Sequence, residues 1–250
     1  MEQVIYGINP VIEALKAPQV KLKEILIAQN RRRHLERILQ LAEGQHVRIR
    51  YQEKNDLTAF AKARFHQGVV AVVEGYRYAP LEEILAQWKK SGLRALILVL
   101  DSIQDPQNLG AMIRTANVCG AHGVIIPRDR AASVTPTVFK ASAGATAFTP
   151  VARVTNITST LERLKEEGVW IVGAAAESEI SLFEEDLSVD LAMIVGSEGR
   201  GIRPRVLGTC DLTVSIPMGG QIASLNASVA TGVILYEIIR QRLCDKKEGK

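Results

Sequence analysis

From Leu93 onward, short unbroken apolar runs alternate with helical stretches, and this alternation constrains the fold more than any other feature of the sequence. The run Arg94–Leu100 (RALILVL) is apolar after its first residue, as a strand buried on both faces of a parallel sheet requires. Further strand-like runs lie at Gly123–Ile126, Trp170–Ala174, Leu191–Val195 and Leu212–Ile216. Between them the pattern predicts a helix from about Leu109 to Cys119, closed by Gly120. A second helix is predicted to open on the capping box Ser159–Glu162 and to end at Gly168. A last long helix should run from about Asn226 to Arg242. Strands alternating with helices in this way predict a parallel sheet covered on both faces.

Residues 1–75 have a different rhythm. Asn9 and Pro10 suit a helix start, and strand signals at Glu24–Ala28, Val47–Tyr51 and Val69–Val73 are separated by helical patterns around Leu35–Ala42 and Leu57–Ala63. This is a compact α/β unit. Residues 76–92 read as a linker that becomes a short amphipathic helix after Pro80, with Trp88 as a packing residue. Residues 93–250 then form the second domain. Composition sharpens the division: residues 1–75 carry 12 Lys/Arg against 8 Asp/Glu, whereas the remainder carries 19 of each. The net charge of +4 therefore sits wholly in the first unit, which includes Arg31, Arg32 and Arg33. A basic unit joined to a neutral one suits an RNA-docking module on a catalytic body; charge alone suits a solvated helix face equally well.

Several classes are excluded. No basic-plus-apolar leader opens the chain, and the apolar stretch Ile222–Ile239 is broken by Ser224, Asn226, Ser228, Thr231 and Glu237, so no membrane contact is expected. Cys119, Cys210 and Cys244 are widely spaced with no CxxC pair, which argues for a reducing, cytoplasmic setting and against a disulfide framework or zinc site. None of the four histidines has metalloprotease spacing, and no bound metal is expected. The first strand of the second domain leads into DPQNLG rather than GxGxxG, the later GSEGRG has the wrong glycine spacing, and no P-loop or GxSxG elbow occurs.

Ligands of parallel sheets bind at the carboxyl ends of strands. Three segments at such ends are too rich in Gly, Asn, Ser and charge to be core: DSIQDPQNLGAMIRTA from Asp101, VGSEGRG from Val195, and IPMGGQIASLNASVA from Ile216. In this order they resemble the three signature motifs of the SpoU/TrmH family of SPOUT RNA methyltransferases. The first unit, with YGINPVIEAL near its start and His66-Gln67-Gly68-Val69 near its end, resembles the small ribosomal-protein-like domain that precedes that catalytic domain. The resemblance covers the whole chain. It extends to the bacterial members that methylate a guanosine ribose in the peptidyl-transferase loop of 23S ribosomal RNA.

The resemblance implies an α/β fold with a trefoil knot in its parallel-sheet domain, S-adenosylmethionine as cofactor, and a homodimer in which each site draws on both chains. It places Arg114 as the catalytic residue. A guanidinium is almost never deprotonated, so its expected role is to stabilise the developing ribose alkoxide. Asn108, Glu198 and Asn226 are expected to orient the reacting groups, with Asn226 also capping the last helix. Ala174, Gly196, Ile216, Met218, Ser224 and Leu225 are expected to hold the cofactor, Gly196 by allowing close approach. RNA contacts are expected from Arg31, Arg32, Arg33, His66, Gln67 and Ser228. The same chemistry on tRNA or another ribosomal loop, and a non-catalytic RNA-binding assembly factor, remain the rival readings.

Overall fold

The computed structural model describes residues 2–16, 20–29, 35–61, 65–222 and 224–248. The chain divides into two compact units, one of residues 1–77 with 135–140 and one of residues 78–134 with 141–250. Among the described residues no helix is long and apolar enough to cross a membrane.

The first unit is built on a four-stranded sheet of β1 (Glu2–Tyr6), β2 (Leu22–Ala28), β3 (Arg48–Gln52) and β4 (Val69–Glu74), in the order β1-β4-β2-β3. β4 runs antiparallel to both neighbours, and β3 runs parallel to β2. Helices α1 (Ile8–Lys16) and α2 (Glu36–Gly44) bring Val11, Leu15, Ile38 and Ala42 onto Ile25, Ile27, Ala71 and Val73. Helix α3 (Lys54–Ala61) places Leu57 on Leu26 and Val70, which alternate to the opposite face.

Helix α4 (Leu81–Ser91) opens the second unit and stops at Gly92, whose φ of 65° is the left-handed cap that glycine adopts without strain. The sheet behind it has the order β10-β8-β9-β5-β6-β7, with every described pairing parallel. Its strands are β5 (Leu96–Asp101), β6 (Gly123–Pro127), β7 (Val151–Val154), β8 (Trp170–Ala174), β9 (Leu191–Gly196) and β10 (Leu212–Val214), with the short helix α6 (Pro136–Ala141) between β6 and β7 in the chain. Both faces are covered, as the unbroken apolar runs demand. Ile97, Val99, Ile125 and Ile194 meet α4 and α7 (Ile157–Glu166), with α8 (Pro204–Leu207) beside them. Helices α5 (Pro106–Val118) and α9 (Ala227–Glu248) pack on one another and bury Met112, Ile113, Ile234, Leu235 and Ile238. Each fully buried aliphatic side chain contributes about 1.5–3 kcal/mol. Arg242 anchors α9 by donating to the carbonyls of Arg94, Ala95 and Val189 at 2.6–3.0 Å. Burial pushes its pKa down to about 10.

Four sequence expectations are corrected. α1 begins at Ile8, so Asn9 and Pro10 lie inside its first turn and Asn9 is not its cap. β1 and β7 were not foreseen, because EQVIY and VARV are short and carry polar positions. α5 begins three residues early, since Asp105 accepts the Gln107 N–H and Pro106 supplies the preset φ of a first turn. α7 is capped by Asn156, whose Oδ1 accepts the Ser159 N–H at 3.4 Å, and not by Ser159 itself.

Two buried histidines carry the same hydrogen-bond logic. His66 Nδ1 accepts the Gly68 N–H at 3.1 Å, and His122 Nδ1 accepts the Leu96 N–H at 3.2 Å. Each Nε2 lies 3.0 Å from a hydroxyl, of Thr58 and Ser91 respectively, whose own proton goes to a helix carbonyl. Nε2 must therefore donate, so both rings are neutral; protonating Nδ1 would break the backbone bond. Burial lowers both pKa values, helped by Lys54 at His66 and by Arg242 at His122. The folded values lie below the unfolded one, so the unfolded chain takes up protons first as pH falls. Stability should thus be held above the ordinary value of 6.5 and decline below it. Tm measured from pH 8 to pH 5 should fall less steeply for His122→Asn, whose carboxamide oxygen can replace Nδ1; equal slopes would contradict this assignment.

Candidate active site

The carboxyl ends of adjacent strands meet at one edge of the six-stranded sheet. Asp101 at the end of β5 pairs in register with Gly196 at the end of β9, and Ala174 at the end of β8 pairs with Val195 and Val214. Asp101 is fully buried. Its carboxylate accepts the Arg203 backbone N–H at 2.8 Å and the Arg203 Nε and Nη2 donors at 2.7 Å, with the Ser102 hydroxyl at 3.2 Å. Charge-assisted bonds of this kind are about twice as strong as neutral ones. They tie the end of β5 to the segment after β9, which carries Glu198. That segment closes on itself through Ser197 and Gly201, which exchange backbone bonds at 2.9 and 3.1 Å. Gly199 and Gly201 adopt φ of 78° and 63° to make the turn.

Gly196 faces this turn directly. A Cβ there would overlap the backbone of Gly201 and Ile202. The space expected for close approach of the cofactor is filled on that side by the chain itself.

Asn108, Glu198 and Asn226 converge from three segments 90 and 28 residues apart in sequence. Asn108 Nδ2 donates to Glu198 Oε1 at 2.9 Å, Asn226 Nδ2 donates to the same oxygen, and the Ala227 N–H reaches it at 3.3 Å. Asn226 Nδ2 also lies 3.2 Å from Asn108 Oδ1. The other end of Asn226 caps α9: its Oδ1 accepts the N–H groups of Ser228 and Val229 at 2.9 and 3.3 Å. One asparagine thus starts the helix and holds the carboxylate. Glu198 Oε2 has no partner among the described residues. The cluster borders an open pocket of about 480 Å³ lined also by Ser102, Gln104, Arg130, Arg200 and Arg203.

Arg114 stands apart from this cluster. It is exposed on α5, outside the pocket lining and without a hydrogen-bond or ion-pair partner among the described residues. Six residues of α-helix separate it from Asn108, about 9 Å along the axis and about 120° around it. It shares an exposed face of α5 with Val118, one turn on.

The residues expected at the cofactor gather near the ends of β8, β9 and β10. Ala174 and Gly196 end their strands, and Ile216 lies just beyond β10. Met218 and Leu225 leave 39% and 38% of their surface uncovered, and Ser224 is exposed. None of the six is among the residues that line the pocket of about 480 Å³; partly exposed aliphatic side chains beyond strand ends are what a flat apolar ring can cover.

Two residues expected to touch RNA are already engaged. His66 is 1% exposed with both ring nitrogens bonded, so it holds its turn together. The Ser228 hydroxyl donates to Asn226 Oδ1 at 2.6 Å and belongs to the helix cap. Gln67 is exposed, and its Oε1 accepts the Ile8 N–H at 2.8 Å. Arg31, Arg32 and Arg33 lie outside the described residues. The sequence reading missed Asp101, Arg203, Arg130 and Arg200. For Asp101 a signal existed, since it is a lone charge ending a fully apolar strand.

Residues 95–236 match the family described as SpoU rRNA Methylase, and residues 4–79 match the one described as RNA 2′-O ribose methyltransferase substrate binding. A 23S rRNA (guanosine-2′-O-)-methyltransferase of Pseudomonas putida is 41% identical over 242 residues, covering 95% of this chain and 96% of its own. The same-named protein of Coxiella burnetii is 41% identical over 95% of both chains. Among solved structures, the SpoU methyltransferase AviRb of Streptomyces viridochromogenes in complex with AdoMet is 27% identical. It covers 97% of this chain and 91% of its own at a TM-score of 0.65. A TrmH/SpoU tRNA modifying enzyme of A. aeolicus, 27% identical at a TM-score of 0.56, covers 66% of this chain and 85% of its own.

Proposed function

The chain belongs to the SpoU rRNA methylase family and is an S-adenosylmethionine-dependent RNA 2′-O-methyltransferase; from that premise we propose that its target is a guanosine ribose in the peptidyl-transferase loop of 23S ribosomal RNA. The observation that carries this reading is the near full-length similarity to enzymes named for 23S guanosine. The tRNA-modifying structure matches only about two thirds of this chain, which favours a ribosomal target over tRNA. Residues 1–75 serve as the RNA-docking domain, residues 76–92 as the linker and residues 93–250 as the methyltransferase domain. The charge split, with all surplus positive charge in the first unit, supports that division.

S-adenosylmethionine supplies a methyl group on a sulfonium centre. Ala174, Gly196, Ile216, Met218, Ser224 and Leu225 would hold it, the aliphatic side chains offering apolar walls and the strand-end backbone, that of Gly196 included, offering polar groups to a flat base. The chain's remaining task is to present a ribose 2′-oxygen in line with the methyl carbon and to stabilise the charge that develops on it. Glu198 spends Oε1 on three N–H donors and keeps Oε2 for the ribose hydroxyl. Asn108 and Asn226 fix that carboxylate in place, and Arg114 stabilises the alkoxide.

Arg114 can do so only where it meets a site, and its exposed face supports the shared-site homodimer of the family. On α9, Val229, Tyr236 and Leu243 are each more than half exposed at seven-residue spacing, and on α5 Val118 is exposed beside Arg114. Seven residues are close to two helical turns, so the three form one stripe. This stripe is where a second copy would sit in our reading, so that each site draws on the Arg114 of the other chain. The cell-level test is a map of 2′-O-methyl groups on 23S RNA from a strain lacking this gene. One methylated guanosine of the peptidyl-transferase loop should disappear, and an unchanged map would overturn the target assignment.

A further inference from the structure

We infer that Arg130 and Arg200 form a phosphodiester clamp, gripping the RNA backbone on the two sides of the target ribose. The inference rests on the RNA-methylating reading above and adds a binding subsite to it. Five charged side chains line the pocket, and three are already committed. Arg203 is bound to buried Asp101, the Asp105 carboxylate caps α5, and Glu198 is held by the two asparagines. Arg130 and Arg200 are exposed and have no hydrogen-bond or ion-pair partner among the described residues. Apart from Glu198 Oε2, which faces the ribose in the reading above, the side chains lining the pocket that are charged and without a described partner are two guanidiniums, whose planar forks match phosphate oxygens.

Their placement in the sheet gives the clamp its geometry. β5 lies between β9 and β6. Asn108 follows β5, Arg200 lies in the turn after β9, and Arg130 lies in the loop after β6. The two arginines thus reach the pocket from loops on opposite sides of the strand whose following helix carries Asn108. A nucleotide whose ribose sits at the Asn108–Glu198 cluster has one phosphate on each side of it.

The loop that presents Arg130 is pinned rather than loose. On one side the Arg128 N–H donates to the Val154 carbonyl, and the Arg128 carbonyl accepts from Arg153 Nη2, both at 2.7 Å. On the other side the Ala132 N–H donates to the Ile103 carbonyl at 2.8 Å. Between these anchors Arg130 is held at φ 59°, and Ser102, also on the pocket wall, at φ 64°. Left-handed backbone at a non-glycine residue costs about 1 kcal/mol or more and persists only where its surroundings fix it. Here it fixes a guanidinium at the mouth of the site.

The experiment uses the full chain and a transcript of the 23S peptidyl-transferase region, with binding measured from 50 to 250 mM salt. Each of Arg130→Ala and Arg200→Ala should weaken RNA binding roughly tenfold at low salt and reduce the slope of log K against log salt by about 0.7–1. The double variant should lose about twice that slope, and lysine at both positions should restore most of it. Affinity for S-adenosylmethionine and Tm should not move. An unchanged slope in the double variant overturns the clamp, as does loss of cofactor binding, which would place the arginines on the cofactor instead. If the wild-type chain neither binds nor methylates the transcript, the target reading fails, and the clamp with it.

Discussion

Arg114→Lys should lower kcat for RNA methylation by about 10²-fold or more, the size expected on removing an oxyanion-type contact. The substitution keeps a positive charge but loses the planar fork that can hold two oxygens at once. An interaction made only as the alkoxide develops shows in kcat, with little change in cofactor affinity. Stability should hold, because the side chain is exposed and has no described partner whose loss would be felt. The variant also separates two roles. A residue that only docks RNA would raise KM and leave kcat near the wild-type value. That outcome would remove Arg114 from the chemistry and leave Glu198 and Asn226 to carry it.

Gly196→Ala should be the most destabilising single-methyl change in the second unit. Its Cβ would be driven into the backbone of Gly201 and Ile202, and backbone cannot rotate away as a flexible side chain can. The expected cost is about 3 kcal/mol, or about 6–12 °C in Tm for a domain of this size. Activity should fall with it, because the displaced turn carries Glu198. Gly199→Ala is the comparison: a Cβ there meets nothing, and the penalty is only that of φ 78°, about 1 kcal/mol. Equal, small losses at both positions would show that the turn yields more easily than its packing implies.

The parallel sheet was legible because burial on both faces leaves an unbroken apolar run, and β5, β6, β8 and β9 fall where such runs lie. β1 and β7 have no comparable signature; they are strands because partners in β4 and β6 complete their hydrogen bonds. The cluster of Asn108, Glu198 and Asn226 was legible only through motif resemblance, since nothing local in the sequence announces a bond across 90 residues. The Asp101–Arg203 pair spans 102 residues and escaped for the same reason. Gly196 was read as room for a ligand, and its missing Cβ is required by the chain's own turn. The motif resemblance implies RNA contacts for His66 and Ser228, but a buried imidazole and a helix-cap hydroxyl have already spent their donors. Arg114 marks the limit of a single chain: its residue type and motif are plain, yet it lies exposed on α5, outside the pocket lining.

The most direct test is to incubate the purified chain with methyl-labelled S-adenosylmethionine and a 23S transcript, then cleave the RNA with alkali. A 2′-O-methyl group removes the hydroxyl that attacks the neighbouring phosphodiester, so a methylated ribose protects the linkage on its 3′ side. The account predicts label in 2′-O-methylguanosine and one gap in the alkaline ladder, within the peptidyl-transferase loop. Label on a base with an unbroken ladder, or no transfer at all, would contradict it.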